Sequence, residues 1–272
     1  MKITVGADPE IFMFQGGKPV SAHGAVKGTK HDPLKVKDGA VQVDGMALEF
    51  NIDPADSAEK FVGNIESVLA TLRSMVPGFD LVPTPVAEFG AEYIKQQPKE
   101  ALVLGCDPDF NAWNGGKVNP RPNGDNPFRT AAGHVHIGWT NDVDPFHPQH
   151  LEAAITLTKQ LDFYLGLPSL LYDKDAKRRT MYGAEGAFRP KPYGVEYRVL
   201  SNMWLSSRAL MDWVYNNTIL AVDDLMNHRK ACDKVFGPKT YIHKLFSSQE
   251  PDLNEVKRMI DFLGIPPPPV GA

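Results

Sequence analysis

The residues with the clearest chemical potential lie at positions 129–139, which read RTAAGHVHIGW. Val135 and Ile137 alternate with His134 and His136, which is the period of a strand buried on one face. The two imidazoles therefore project from the same face, about 7 Å apart along the strand. Two ordinary histidines on a half-exposed strand would give the same pattern. This stretch alone therefore does not predict a ligand site.

Three other segments place acidic groups within apolar, strand-like sequence: DPEIF at 8–12, DGMALEFN at 44–51 and VEYRV at 195–199. A buried carboxylate without a partner becomes protonated or destabilises the fold, and too few lysines lie in these segments to pair with every acid. A metal ion would meet this need. Several carboxylates with an imidazole suit Mg²⁺ or Mn²⁺, whereas zinc would favour more His or Cys. The alternative is a set of unrelated surface acids on edge strands.

Residues 173–194 are charged and rich in glycine, and we expect them to form a long mobile loop that closes over bound phosphates. Its arginines are Arg178, Arg179 and Arg189. Arg198 follows on a strand, on the same face as Glu196. A divalent ion with converging arginines is a common arrangement for binding triphosphate. For Arg178 and Arg179, a solvated charge run is the alternative. Neither GxxxxGK[ST] nor GxGxxG occurs, so those loops would not hold a nucleotide here.

The order GxDPE, DGxxxEFN, RTxxGHVHxG and EYR resembles the carboxylate–amine ligases of the glutamine synthetase-like fold. It is closest to the phage-type amidoligases, which are related to the glutamate–cysteine ligases, and it spans roughly residues 1–205. The resemblance implies divalent ions (Mg²⁺ or Mn²⁺) and ATP as cofactors. The implied metal ligands are Glu10, Glu49, His134 and Glu196, with Asp8 and Asp44 as further candidates. The implied catalytic residues are Arg198, Arg189 and Arg129, and the implied nucleotide-binding residues are His136, Arg178 and Arg179.

The sequence departs from the glutamine synthetase pattern at two places. Asp8-Pro9 stands where an ExE pair is usual, and Gly194 stands where the first arginine of RxExR is usual. The pattern GxDP[ED] occurs twice, at residues 6–10 and 105–109. Nothing else recurs at that spacing, so no repeat architecture is predicted.

Composition limits the function classes. The chain has 272 residues, 42% hydrophobic and 23% charged, as in an ordinary globular protein. Its net charge of −4 argues against nucleic-acid binding through bulk positive charge. Two cysteines provide neither a disulfide framework nor a CxxC site. No apolar leader or membrane-length run is present. We expect a soluble cytoplasmic protein, in the host cytoplasm if phage-encoded, with no membrane partner and an undecided oligomeric state.

The predicted fold is α+β. We expect a curved, mostly antiparallel sheet whose concave face carries metal and nucleotide, with helices from about residues 56, 148 and 206 on its convex face. This is a glutamine synthetase-like catalytic domain by resemblance. A single domain covers residues 1–265, and residues 266–272 form a proline-rich tail.

The predicted activity is ATP-dependent joining of a carboxylate to an amine through an acyl phosphate. The substrates would be small-molecule or peptide carboxylates and amines. One alternative is a metal-dependent phosphoesterase or nuclease using the same acids without ATP. Another is a non-enzymatic virion or scaffold protein that retains the fold. ATP turnover that needs both an acid and an amine would separate the first interpretation from the other two.

Overall fold

A computed structural model describes residues 2–102, 109–120 and 126–270. The strands are β1 (Thr4–Ala7), β2 (Glu10–Gln15), β3 (Lys18–Val20), β4 (Leu34–Val36), β5 (Gly39–Asp44), β6 (Ala47–Ile52), β7 (Asp80–Val82), β8 (Val86–Glu88), β9 (Phe110–Asn111), β10 (Lys117–Val118), β11 (Phe128–Thr130), β12 (Val135–Gly138), β13 (Ala187–Lys191) and β14 (Gly194–Tyr197). The helices are α1 (Ala58–Met75), α2 (Ala91–Lys95), α3 (Lys99–Leu102), α4 (Pro148–Leu161), α5 (Leu167–Ser169), α6 (Ala176–Met181), α7 (Arg208–Met226), α8 (Ala231–Lys234), α9 (Pro238–Phe246) and α10 (Leu253–Leu263). The fold is α+β, and every strand ladder in these ranges is antiparallel, as predicted.

Two open sheets are joined where the chain passes from β1 to β2. The first has the strand order β1-β12-β14-β13-β9-β10, and the second has the order β3-β2-β6-β5-β4, with β7 beside β2. The chain passes from the first sheet to the second through Asp8 and Pro9, between β1 and β2. Backbone hydrogen bonds from Asp8 N to His134 O (3.4 Å) and from Glu10 N to Ala132 O (2.9 Å) carry the pairing across this junction. The two sheets are therefore held in a fixed relation where the predicted site residues lie.

The core lies between these sheets and the long helices. Helix α1 packs on β5 and β6, α4 packs on β13 and β14, and α7 packs on α1 and α4. The strand residues facing this core are apolar: Val5, Ala7, Ile11, Val135, Ile137, Val195 and Tyr197. Because side chains alternate along a strand, the residues between them face the other side of the sheet. The polar residues of the site are on that side.

Local sequence accounts for the helices that support the sheets. Ser57 caps α1 by accepting a hydrogen bond from Lys60 N, and Ser207 caps α7 in the same way through Leu210 N. In α1 a buried stripe follows the helical period, and each of its large side chains contributes roughly 1.5–3 kcal/mol through burial. The stripe consists of Phe61, Ile65, Val68, Leu69 and Leu72. The helices predicted from about residues 56, 148 and 206 begin at Ala58, Pro148 and Arg208.

The expectation of a loop over residues 173–194 is wrong. Helix α6 forms there, capped by Asp175, whose carboxylate accepts a hydrogen bond from Lys177 N at 2.8 Å. Strand β13 follows and pairs with both β14 and β9. Helix α6 and strand β13 were not predicted from the sequence, because glycines and Pro190 in this region usually mark turns. Partners distant in sequence stabilise both elements.

The end of the described chain contacts α7. The carbonyl oxygen of Pro266 accepts hydrogen bonds from Trp213 Nε1 (2.9 Å) and from Asn217 Nδ2 (3.3 Å). The first residue of the predicted tail is therefore attached to the helical layer. No helix in the described ranges is long and apolar enough to cross a membrane.

Candidate functional site

Two rows of polar residues cross neighbouring strands on the sheet face away from the long helices. The first row consists of register partners across four strands of the first sheet: Gly6, His136, Glu196 and Arg189. The second row crosses three strands of the second sheet: Glu10, Glu49 and Gln42. Asp8, at the junction of the sheets, joins the two rows. Register partners on adjacent strands share a face, so all these side chains face the same space.

Asp8, His134 and His136 lie together where the first row reaches the junction of the two sheets. His136 Nε2 lies 2.9 Å from Asp8 Oδ1, and His134 Nδ1 lies 3.3 Å from the same oxygen. Burial, with a contribution from Arg198, lowers the pKa of His134 to about 4, so its ring is neutral at neutral pH. Burial alone would raise the pKa of Asp8, but the attraction of His136 and the hydrogen bonds of both histidines outweigh burial and lower that pKa well below its usual value. The site therefore holds an ionised carboxylate beside a neutral imidazole.

Asp8 and two residues of the first row have the geometry of a metal site. One ligand atom each from Asp8, His136 and Glu196 lie within 4.8 Å of one another. In the described part of the chain, Nε2 of His134 is buried and has no hydrogen-bond partner. Carboxylate and imidazole donors fit Mg²⁺ or Mn²⁺. Of the predicted ligands, Glu196 belongs to this group, His134 lies 3.4 Å from Glu196, and Glu10 and Glu49 belong to the second row.

Glu196 is surrounded by cations. Its side chain is fully buried, with Lys191 Nζ at 2.8 Å, Arg189 Nη1 at 3.2 Å, and Arg198 Nη1 in contact with Oε1. Glu196 is therefore a strand acid whose charge is balanced by side chains of the protein. Sequence reasoning missed Lys191. Its position two residues after Arg189 on the same strand would have indicated that the two cations share a face.

The carboxylates of the second row accept hydrogen bonds from neutral groups. Glu10 Oε2 accepts a hydrogen bond from Ala132 N at 2.8 Å, and Glu49 Oε2 accepts one from Gln42 Nε2 at 2.8 Å. Among the described residues neither carboxylate forms an ion pair. Burial, followed by repulsion from Asp44, raises the pKa of Glu10 to about 7.

The pKa of Glu49 is also raised, well above its usual value. Burial is the largest cause, and repulsion from the neighbouring carboxylates adds to it. Both acids of the second row therefore resist ionisation. This row is where a divalent cation would relieve the most electrostatic cost.

Arg198 links the histidines to a second acid. Its Nε lies 3.5 Å from Asp109 Oδ2, its Nη1 lies 3.5 Å from His134 Nδ1, and its guanidinium stacks over the Tyr182 ring at 5.3 Å. Asp109 ends the second GxDP[ED] copy, and residues 105–108 of that copy lie outside the described residues. The recurring pattern is the sequence signal that would have identified Asp109.

Tyr193 orients His136. Its hydroxyl contacts His136 Nδ1, and the two rings stack with centroids 6.0 Å apart. Tyr193 lies in the β13–β14 turn, next to Gly194. A Cβ at Gly194 would lie 2.0 Å from the carbonyl oxygen of Ile137, so no arginine fits there. This close strand approach explains the departure from the RxExR pattern.

Arg178 and Arg179 contact backbone carbonyls. Arg178 is fully buried and donates to Val199 O at 2.5 Å and to Arg198 O at 3.3 Å. A Cβ at Gly183 would lie 2.3 Å from the Arg178 guanidinium, so glycine leaves the space it needs. Arg179 donates to the carbonyls of Asp173 and Asp175 at 3.3 and 3.1 Å. In this arrangement both residues stabilise backbone behind the site, and their predicted contact with nucleotide stays a prediction.

Arg129 lies apart from the two rows. Its Nη1 donates to the carbonyls of Asn126 and Phe128, both at 2.9 Å, and it borders a separate cavity. Its predicted catalytic contact therefore also stays a prediction.

Residues 125–254 match a family model described as Phage phiEco32-like COOH.NH2 ligase-type 2. The matched region contains His134, His136, Glu196 and Arg198, and it ends before the chain's last helix does. No curated protein was found to match the chain. The family match confirms the resemblance to phage-type carboxylate–amine ligases that the four motifs predict.

Proposed function

Because residues 125–254 match a family of carboxylate–amine ligases, we propose that this protein joins a carboxylate to an amine at the expense of ATP. One observation carries the proposal. An acidic row, in which neither Glu10 nor Glu49 forms an ion pair among the described residues, lies beside a row in which Arg189, Lys191 and Arg198 converge on Glu196. The acidic row requires positive charge, and the cations around Glu196 can bind negative charge. A nucleoside triphosphate with bound metal ions meets both requirements, because its metal ions are positive and its phosphates are negative.

The acids and imidazoles would hold the metal ions. Glu10, Glu49, His134 and Glu196 are the proposed ligands, with Asp8 and His136 close enough to add further donors. When bound, Mg²⁺ or Mn²⁺ would offset the repulsion between the triphosphate and the incoming carboxylate. Tyr193 would keep His136 in a single orientation, as partners of metal-binding histidines commonly do.

The cations would act on the transferred phosphoryl group. A carboxylate oxygen attacks the γ-phosphorus, ADP leaves, and an acyl phosphate forms. The amine then attacks the acyl carbon, inorganic phosphate leaves, and the nitrogen loses a proton to give the amide. Arg198, Arg189 and Lys191 would stabilise the negative charge on the phosphoryl oxygens during the first transfer.

Glu196 would couple the binding of metal ions to the binding of nucleotide. In the metal-free protein its carboxylate is the partner of Arg189, Lys191 and Arg198. When Glu196 binds a metal ion, these cations would become available to phosphate oxygens. Metal and nucleotide should therefore each raise the affinity of the protein for the other.

Hydroxylamine provides a general test, because it replaces an unknown amine. The protein is incubated with Mg-ATP, hydroxylamine and a panel of carboxylic acids, while ADP and hydroxamate are measured. The proposal expects ADP and hydroxamate in equal amounts with at least one acid, and none with Glu49→Gln. The matched control is Arg208→Gln, which removes a surface pair with Glu66. ATP hydrolysis independent of any acid would support a phosphoesterase instead. Absence of turnover together with absence of Mg²⁺ binding would support a non-enzymatic protein.

A further inference from the structure

A separate cavity of about 370 Å³ lies between α2 and the segment that leads into β11. Its wall combines apolar groups with two cations: Ala91, Ile94, Leu102, Pro127, Lys95 and Arg129. None of these side chains belongs to the two polar rows. The cavity is of the size that takes a small molecule with an apolar body.

Arg129 is the unusual member of this wall. Its side chain is only 7% exposed, and its Nη1 hydrogens are held by two backbone carbonyls at 2.9 Å, which fixes the plane of the guanidinium. Its Nε is buried and has no hydrogen-bond partner, and no carboxylate pairs with Arg129 among the described residues. A buried cation without a counter-ion is costly, so an anion from outside the chain would stabilise it.

The chemistry of the wall favours a carboxylate over a phosphate. The planar fork of one arginine matches one carboxylate, whereas a polyphosphate would need more cations and would leave the apolar surface uncovered. Lys95 adds positive charge, although its Nζ already pairs with Glu92 at 2.8 Å. An aliphatic or aromatic group would cover Ile94 and Leu102. The preferred ligand therefore carries one carboxylate on an apolar body.

A short backbone segment leads from the cavity to the acidic row. Arg129 precedes Ala132 by three residues, and Ala132 N donates to Glu10 Oε2 at 2.8 Å. Three residues of extended chain span roughly 10 Å. Arg129 therefore lies within roughly 10 Å of the residue that contacts Glu10, a distance that a short peptide can span.

We propose that this cavity binds the carboxylate end of the amine substrate, and that this substrate is a short apolar peptide. The assignment rests on the proposed ligase function and specifies its amine. The free carboxylate would lie on Arg129, the side chain against the apolar wall, and the amine toward Glu10.

Calorimetric titration without ATP or metal tests the cavity directly, with dileucine, dileucine amide and diglycine as probes. Dileucine should bind, and the other two should bind at least about tenfold more weakly, because each lacks one of the two groups recognised. Arg129→Gln should weaken dileucine binding by at least about tenfold. Ala91→Trp, which fills the cavity from α2 and leaves the hydrogen bonds of Arg129 in place, should weaken it as well. Arg208→Gln is the control.

The proposal is overturned if dileucine does not bind the parent protein, or binds both cavity variants as tightly as the parent. The hydroxylamine assay separates this outcome from failure of the ligase function, because hydroxylamine has no carboxylate and needs no cavity. Acid-dependent hydroxamate formation without dileucine binding would leave the ligase and remove the cavity assignment. Dileucine binding without ATP turnover would leave the cavity assignment and remove the ligase function.

Discussion

Replacing Glu10 by glutamine should stabilise the metal-free protein at neutral and higher pH. Burial and the nearby Asp44 raise the pKa of Glu10 from 4.5 to about 7. A carboxyl that binds its proton more tightly when folded favours folding most below pH 4.5, and this contribution is lost as the pH rises to about 7. Each tenfold change in proton affinity corresponds to about 1.4 kcal/mol, so ionised Glu10 costs about 3 kcal/mol. Glutamine keeps the acceptor for Ala132 N and removes this cost.

The matched substitution in the other row should act in the opposite direction. Glu196→Gln leaves Arg189, Lys191 and Arg198 around a neutral amide. Breaking a buried ion pair from one side leaves uncompensated charge and typically costs about 3–5 kcal/mol.

Urea denaturation in EDTA at pH 5, 6, 7 and 8 measures both effects. Relative to the parent, Glu10→Gln should gain up to about 3 kcal/mol at pH 8 and less than about 1 kcal/mol at pH 5. Glu196→Gln should be less stable at every pH in this range, and Arg208→Gln should follow the parent. The reasoning fails if Glu10→Gln is destabilised at pH 8, or if Glu196→Gln is as stable as the parent.

Four further substitutions test individual roles. His134→Ala should lose activity that raised Mn²⁺ partly restores, whereas Arg198→Lys should lose about 100-fold or more in turnover that no metal restores; ADP release against metal concentration would distinguish them, and near-parent turnover of Arg198→Lys would make that residue structural. Lys191→Gln should weaken ATP binding by about tenfold in calorimetric titration, and unchanged affinity would remove Lys191 from the phosphate site. Arg178→Ala should expose α6 to trypsin, because its guanidinium holds the Val199 carbonyl; an equally resistant α6 would refute that structural role.

Short-range patterns were sufficient to predict that several of these side chains lie together. The alternation at residues 134–137 places both histidines on one face, because the two-residue period of a strand is independent of its neighbours. The structure brings His134, His136, Glu196 and Arg198 together with Asp8. The long helices were also predictable, since a buried stripe such as that of α1 follows the helical period.

Pairings between distant segments were not predictable. The register that places Glu10 opposite Glu49, and Arg189 opposite Glu196, depends on ladders between strands separated by turns of unknown geometry. The cations around Glu196 follow from that register, so the charge balance of the two rows could not be seen in the sequence. Strand β13 was missed for a related reason, since its pairing on both sides overrides the local effect of Pro190.

Isotope transfer tests the central claim most directly. A carboxylic acid that supports hydroxamate formation is labelled with ¹⁸O in its carboxylate and incubated with Mg-ATP and hydroxylamine. An acyl-phosphate ligase transfers one carboxylate oxygen to phosphorus, so one ¹⁸O atom should appear in inorganic phosphate for each hydroxamate formed. Inorganic phosphate without ¹⁸O, released at the same rate, would show that water attacks ATP and would contradict the proposed ligase.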